Sequence, residues 1–127
     1  MDAEVVISRK LLDAILENAR AEYPREMLLL LRGKAKKEHV EINDLIIPPL
    51  ATHGQSFASF PAHMLPMDFS LVGSVHSHPS GSAKPSVEDL NRSFGRIIVI
   101  VVYPFVGKES VAVYNRSGES VTLKVFE

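Results

Sequence analysis

The sequence predicts an α/β domain: one mixed, mostly antiparallel sheet flanked by two or three helices. Three observations carry that expectation. Residues 9–22, RKLLDAILENARAE, place Leu11, Leu12, Ile15, Leu16 and Ala19 at helical spacing. Residues 97–102, IIVIVV, form a β-branched run, which favours a strand. The tail, ESVAVYN then RSGE then SVTLKVFE, alternates apolar and polar residues about a turn and predicts an antiparallel hairpin. At 127 residues the chain fits a single domain, 1–127, large enough to bury a core without disulfides or metal staples.

The elements follow in order. Ser8 is placed to cap the first helix, and Pro24 marks its far boundary because the residue before a proline avoids helical geometry. EMLLLLRG (26–33), an unbroken apolar run closed by Gly33, reads as a buried strand. GKAKK is expected to turn, so that EHVEINDLII (38–47) pairs back on that strand. Residues 48–61, with three prolines and one glycine, read as loop with at most a short edge strand. AHMLPMDF (62–69) suits a short helix weakened by Pro66. LVGSVHSH (71–78) is a strand stopped by Pro79, and SVEDLNRSFG (86–95) a helix with Gly95 at its C-terminal end. RIIVIVVYP (96–104) is the strongest strand in the chain, ended by Pro104.

Composition narrows the chemistry. A net charge of −1 points to neither nucleic acid nor an anionic membrane face. The apolar runs are too short to cross a bilayer, and MDAEVVISRK lacks the long apolar segment of a signal peptide, so a cytoplasmic location is the default expectation. There is no cysteine, which excludes disulfides, thiol nucleophiles and thiolate zinc sites. A transition metal must therefore be held by carboxylates and by the five histidines, His39, His53, His63, His76 and His78.

Residues 76–89, HSHPSGSAKPSVED, concentrate the candidates. In a strand, alternate side chains share a face, so His76 and His78 point the same way with Cα atoms roughly 7 Å apart, and Ser77 faces away. Ser86 resembles a helix N-cap with Asp89 in the first turn. A first-turn carboxylate beside the C-terminal end of a strand also faces the usual crevice of an open α/β sheet. Two histidines and one aspartate would give three protein ligands and an open fourth position, the catalytic rather than the structural pattern for zinc.

This stretch fits H-[ST]-H-P-x6-S-x2-D at every position, and so resembles the signature of the JAMM (MPN+) metalloproteases, a family that includes deubiquitinating isopeptidases and archaeal enzymes acting on small ubiquitin-like modifiers. PREMLLLLRG (24–33) resembles the context of that family's upstream glutamate, although Met27 and Leu28 stand where the family often has cysteine and glycine. The resemblance implies a single MPN domain and one Zn2+ per chain held by His76, His78 and Asp89. It implies Glu26 as the general base and Ser86 as the hydrogen-bond donor to the oxyanion. It further implies hydrolysis of the bond between a ubiquitin-like modifier and a lysine amine, with modifier conjugates as partners, no nucleic acid or membrane partner, and a monomer or weak homodimer. The modifier tail is expected to bind as an added strand near residues 48–61.

Three other readings stand beside it. A non-catalytic MPN scaffold typically loses ligands, and all are present here. RadC-like JAMM proteins share the loop pattern but usually carry an N-terminal helix-hairpin-helix segment. A zinc deaminase needs a PCxxC that a cysteine-free chain cannot supply. His63 could line a substrate groove, His53 reads as solvated, His39 as outward-facing, and Met64 and Met67 as core filler. Glu88 should lie on another side of its helix from Asp89.

Overall fold

In the computed structural model the described residues are 3–47, 70–85 and 95–127. They form β1 (Glu4–Ser8), α1 (Arg9–Glu22), β2 (Leu28–Lys36), β3 (His39–Ile46), β4 (Leu71–His78), β5 (Ile97–Val102), one 3-10 turn (Lys108–Ser110), β6 (Val111–Asn115) and β7 (Thr122–Phe126). The strands make a mixed seven-stranded sheet in the order β6-β5-β4-β2-β3-β1-β7. Helix α1 lies against β1, β3 and β7.

Helix α1 has the predicted bounds. Ser8, in extended geometry at φ −73° and ψ 153°, accepts the Leu11 N–H at 3.1 Å, satisfying one of the donors a helix start leaves open. Leu12, Ile15, Leu16 and Ala19 are buried. They join Val5, Ile7, Leu29, Leu31, Val75, Val99 and Val101 in one apolar core. Burying each larger side chain contributes about 1.5–3 kcal/mol, which sets the helix's attitude on the sheet. The other expected helices, at 62–69 and 86–95, lie outside the described residues apart from Gly95, whose φ is +85°.

Three features differ from expectation. The strand β1 is absent from the sequence reading: EVVIS is only five residues and its neighbours are distant in sequence. It pairs in parallel with both β3 and β7. With the parallel pair β4/β5, that balances the antiparallel pairs β2/β3, β2/β4 and β5/β6, so the sheet is mixed but not mostly antiparallel.

Second, β2 does not turn at GKAKK but runs on to Lys36, and the reversal is Lys37–Glu38. Gly33 allows this. A shift in register falls between Arg32 and Gly33, where the strands come so close that a Cβ would sit 1.7 Å from the Glu41 carbonyl oxygen. The glycine marks a bulge rather than a strand end.

Third, the tail forms a hairpin only at its turn. Asn115 donates to the Glu119 carbonyl and Val121 to the Val113 carbonyl, each at 2.9 Å, with Tyr114 bridging Ser120. Beyond that corner β7 leaves β6 and pairs along its full length with β1. Alternation specifies which face a side chain takes and not which strand lies beside it. Among the described residues no helix is long and apolar enough to cross a membrane.

Candidate metal centre

Strand β4 is central, between β2 and β5, and its residues 72–77 are buried. The register fixes which side chains share each face. Val75 joins the core beneath α1, so Ser74, His76 and His78 take the opposite face by alternation. Across the sheet, Leu28 and Ile100 lie beside His76, and Leu30 and Ile98 beside Ser74. Leu30, Ile98 and Ile100 have no exposed surface, and His76 retains 3% of its own. The imidazole of His76 therefore sits in a dry, aliphatic surround, where its polar atoms need partners.

One of those partners is Ser74, whose Oγ lies 3.2 Å from His76 Nε2. Ser74 is fully buried. His78 is oriented from the other side: its Nδ1 donates to the Ser82 carbonyl at 2.9 Å. A carbonyl only accepts, so in the neutral ring Nδ1 carries the hydrogen and Nε2 the lone pair. An imidazole that gives one N–H to a backbone carbonyl is the usual arrangement of a metal-ligating histidine.

The loop that supplies this carbonyl is itself tied down. Gly81 donates to the His78 carbonyl at 3.1 Å and takes φ +87°, a conformation that favours glycine. Tyr114 on β6 reaches over to donate to the Ala83 carbonyl at 2.6 Å. Ser74 and Tyr114 had no place in the sequence reading. The period-two pattern already put Ser74 on the face of His76, whereas Tyr114 needed the order of strands.

Glu26 stands two residues before β2. Continued past the strand end, the Leu28/His76 register sets Met27 beside Ser77 and would set Glu26 beside His78. Two hydrogen bonds, one of them to a side chain, tie the chain to β4 past the strand end. Ser77 N–H donates to the Met27 carbonyl at 3.0 Å, and Met27 N–H donates to Ser77 Oγ at 2.6 Å. Glu26 itself is exposed. Just before it, Arg25 donates its N–H to the Glu22 carbonyl at 2.8 Å and pairs its guanidinium with the Glu22 carboxylate at 3.6 Å.

The structure thus sets His76 and His78 on one face of β4, with Glu26 just before the neighbouring strand β2. Ser86 and Asp89 lie outside the described residues, as do His53, His63, Met64, Met67 and Glu88. Among the described residues no three metal-ligating side chains converge. The donors that are described fit zinc: two imidazoles on one face, one already oriented by a backbone carbonyl, and a chain without thiolates. His39 lies at the opposite end of β2, with Nδ1 2.9 Å from Glu4, and takes no part.

Comparison with known proteins bears on the family and the fold. The sequence model for prokaryotic homologues of the JAB domain matches residues 8–117. A Haloferax volcanii protein described as a probable metalloprotease is 34% identical over 132 residues, spanning 98% of this chain and 81% of its own. A structure described as JAMM, a metalloprotease-like zinc site in the proteasome and signalosome, superposes with a TM-score of 0.66 at 35% identity, covering 100% of both chains. A JAB1/MPN domain protein from Archaeoglobus fulgidus gives a TM-score of 0.68 at 36% identity over 97% of each chain.

Proposed function

The chain belongs to the prokaryotic JAB-domain family, and from that premise we propose that it is a zinc-dependent isopeptidase that releases ubiquitin-like modifiers from lysine amines. The observation that carries this reading is the pair of histidines on the face of β4 opposite α1, with His78 oriented by the Ser82 carbonyl and Glu26 just before the Leu28/His76 pair.

In this reading His76, His78 and Asp89 hold the zinc, one per chain. The ion supplies Lewis-acid activation of water and of the scissile carbonyl. The remaining chemistry belongs to the chain. Glu26 takes a proton from the attacking water and returns it to the amine, which is too basic to leave unprotonated. Ser86 donates a hydrogen bond to the oxyanion as the carbonyl becomes tetrahedral. The aliphatic surround of His76 keeps water from that imidazole and strengthens its electrostatic interactions.

The test combines metal analysis with cleavage of a fluorogenic substrate bearing a ubiquitin-like C-terminus. The expected result is one zinc per chain, activity abolished by a chelator and restored by zinc, and both zinc and activity lost in His76→Ala. Stoichiometric zinc in His76→Ala would overturn the ligand assignment. A zinc-loaded parent that cleaves no modifier conjugate would overturn the isopeptidase reading in favour of a metal-bearing scaffold.

A further inference from the structure

Ser77 separates the two histidines, is fully buried, and points away from them into the core beneath α1. At the hydrogen-bonded positions of a regular antiparallel pair, opposed residues exchange both backbone N–H···O=C bonds. Met27 and Ser77 keep only one of the two, from Ser77 N–H to the Met27 carbonyl at 3.0 Å. The Met27 N–H goes to the Ser77 hydroxyl at 2.6 Å. A side chain has taken over the acceptor role at the last rung before β2 parts from β4. Beyond that rung comes Glu26.

We propose that Ser77 is a positioning residue for Glu26: by accepting the Met27 N–H, its hydroxyl holds residue 26 at the lip of β4 opposite His78. The inference rests on the isopeptidase reading, in which Glu26 is the base. The chain on the other side of Glu26 is equally constrained. Helix α1 ends at Glu22, Tyr23 N–H donates to the Ala19 carbonyl at 3.1 Å, and Arg25 N–H to the Glu22 carbonyl at 2.8 Å. Glu26 is thus suspended between a closed helix end and a buried anchor, with no regular ladder of its own.

The same geometry explains why the middle position of the motif needs a short hydroxyl residue. Met27 is 4% exposed, so its N–H has little water to turn to and requires an acceptor from the protein. Alanine offers none. A longer polar residue would not fit a position with no exposed surface. The motif residue that touches neither metal nor substrate thereby locates the base.

Two size-matched comparisons isolate the oxygen: Ser77→Ala against the parent, and Ser77→Val against Ser77→Thr. Each protein is assayed for zinc content, for kcat and KM on the fluorogenic modifier substrate, and for exchange of the Met27 amide hydrogen by NMR. Ala and Val are expected to keep one zinc and a near-parental KM, to lower kcat by about 10- to 100-fold, as a base displaced by about an ångström would, and to speed Met27 exchange. Thr should keep most of the parental kcat and the slow exchange. Parental kcat in Ser77→Ala with fast Met27 exchange would overturn the inference alone, leaving the isopeptidase reading intact. Loss of zinc in step with activity would also overturn it, because Ser77 would then act through the histidines. A parent that binds zinc but cleaves nothing would overturn both.

Discussion

Gly73 offers a severe test of how β4 is held. It lies opposite Ile97 on β5, and a Cβ there would fall 2.2 Å from the Ile97 carbonyl oxygen, where real Cβ contacts essentially never come under 3.0 Å. The obstacle is backbone, so no rotamer relieves it, and the strands must separate by roughly 0.8 Å. A ladder bond of about 2.9 Å stretched by that much is no longer a hydrogen bond. Two lost bonds at about 1 kcal/mol each, with overpacking of about 1–3 kcal/mol, exceed the roughly 0.5–1 kcal/mol that alanine gains by restricting the unfolded chain. Gly73→Ala should therefore destabilise the domain by about 2–4 kcal/mol, lowering Tm by about 8–16 °C at this chain length.

The site should feel the same displacement. His76 lies three residues along the strand, and a misplacement approaching an ångström can cost about 10²-fold in rate. Thermal unfolding followed by circular dichroism, at fixed zinc, measures the first effect, and substrate turnover the second. Gly81→Ala is the control: a Cβ there meets nothing within 4 Å, so only its φ of +87° is penalised, by about 1–2 kcal/mol. A Gly73→Ala protein whose Tm stays within about 2 °C of the parent's would refute the claim that backbone contact sets the spacing of β4 and β5.

Further outcomes follow from other contacts. Glu26→Gln should keep the fold and one zinc while losing at least about 10²-fold in kcat/KM, and near-parental turnover would remove the glutamate from the mechanism. The Lys124 ammonium, bonded to Glu4 at 3.1 Å, and then His39 hold the Glu4 carboxyl below its usual 4.5. That stabilisation is present above the unfolded carboxyl's pKa and lost as pH falls through the lower folded one, so Tm of the parent should drop below roughly pH 4.5, with a shallower slope in Glu4→Gln. An identical slope in both proteins would discount the contact. Tyr114→Phe deletes the bond to the Ala83 carbonyl, so it should cost about 0.5–1.5 kcal/mol and weaken zinc retention through the loop that orients His78. Unchanged zinc dissociation would show that the loop holds without it.

What was legible in the sequence is what short-range geometry sets. The bounds of α1, with its cap at Ser8, and the strands β4 and β5 were readable because a turn of helix or a pleat is completed within a few residues. The common face of His76 and His78 was readable for the same reason. Gly33 was misread as a terminator because a glycine in a strand signals a close approach or an end equally well, and only the Glu41 carbonyl beside it decides. Glu26 was recognised by the resemblance of its surroundings. Its nearness to the His76 strand became legible only with the β2/β4 register, which ends two residues after it at Leu28.

By itself, then, the sequence determined the class of the fold, the faces of its main elements and the donor atoms available to a metal. The tertiary structure alone decided that β1 exists as a strand between β3 and β7, that β7 leaves β6 for β1, and that Ser74, Ser77 and Tyr114 support the site. The reason lies in the range of the interactions. Periodicity records only whether a side chain faces the core, which each residue settles with its immediate neighbours. Strand order and register depend on hydrogen bonds between backbones that are chemically alike, so many pairings satisfy the same pattern locally. The choice among them is made by packing the whole: α1 must cover β1, β3 and β7 at once, and Gly33 and Gly73 admit only the neighbours that come close enough to need them.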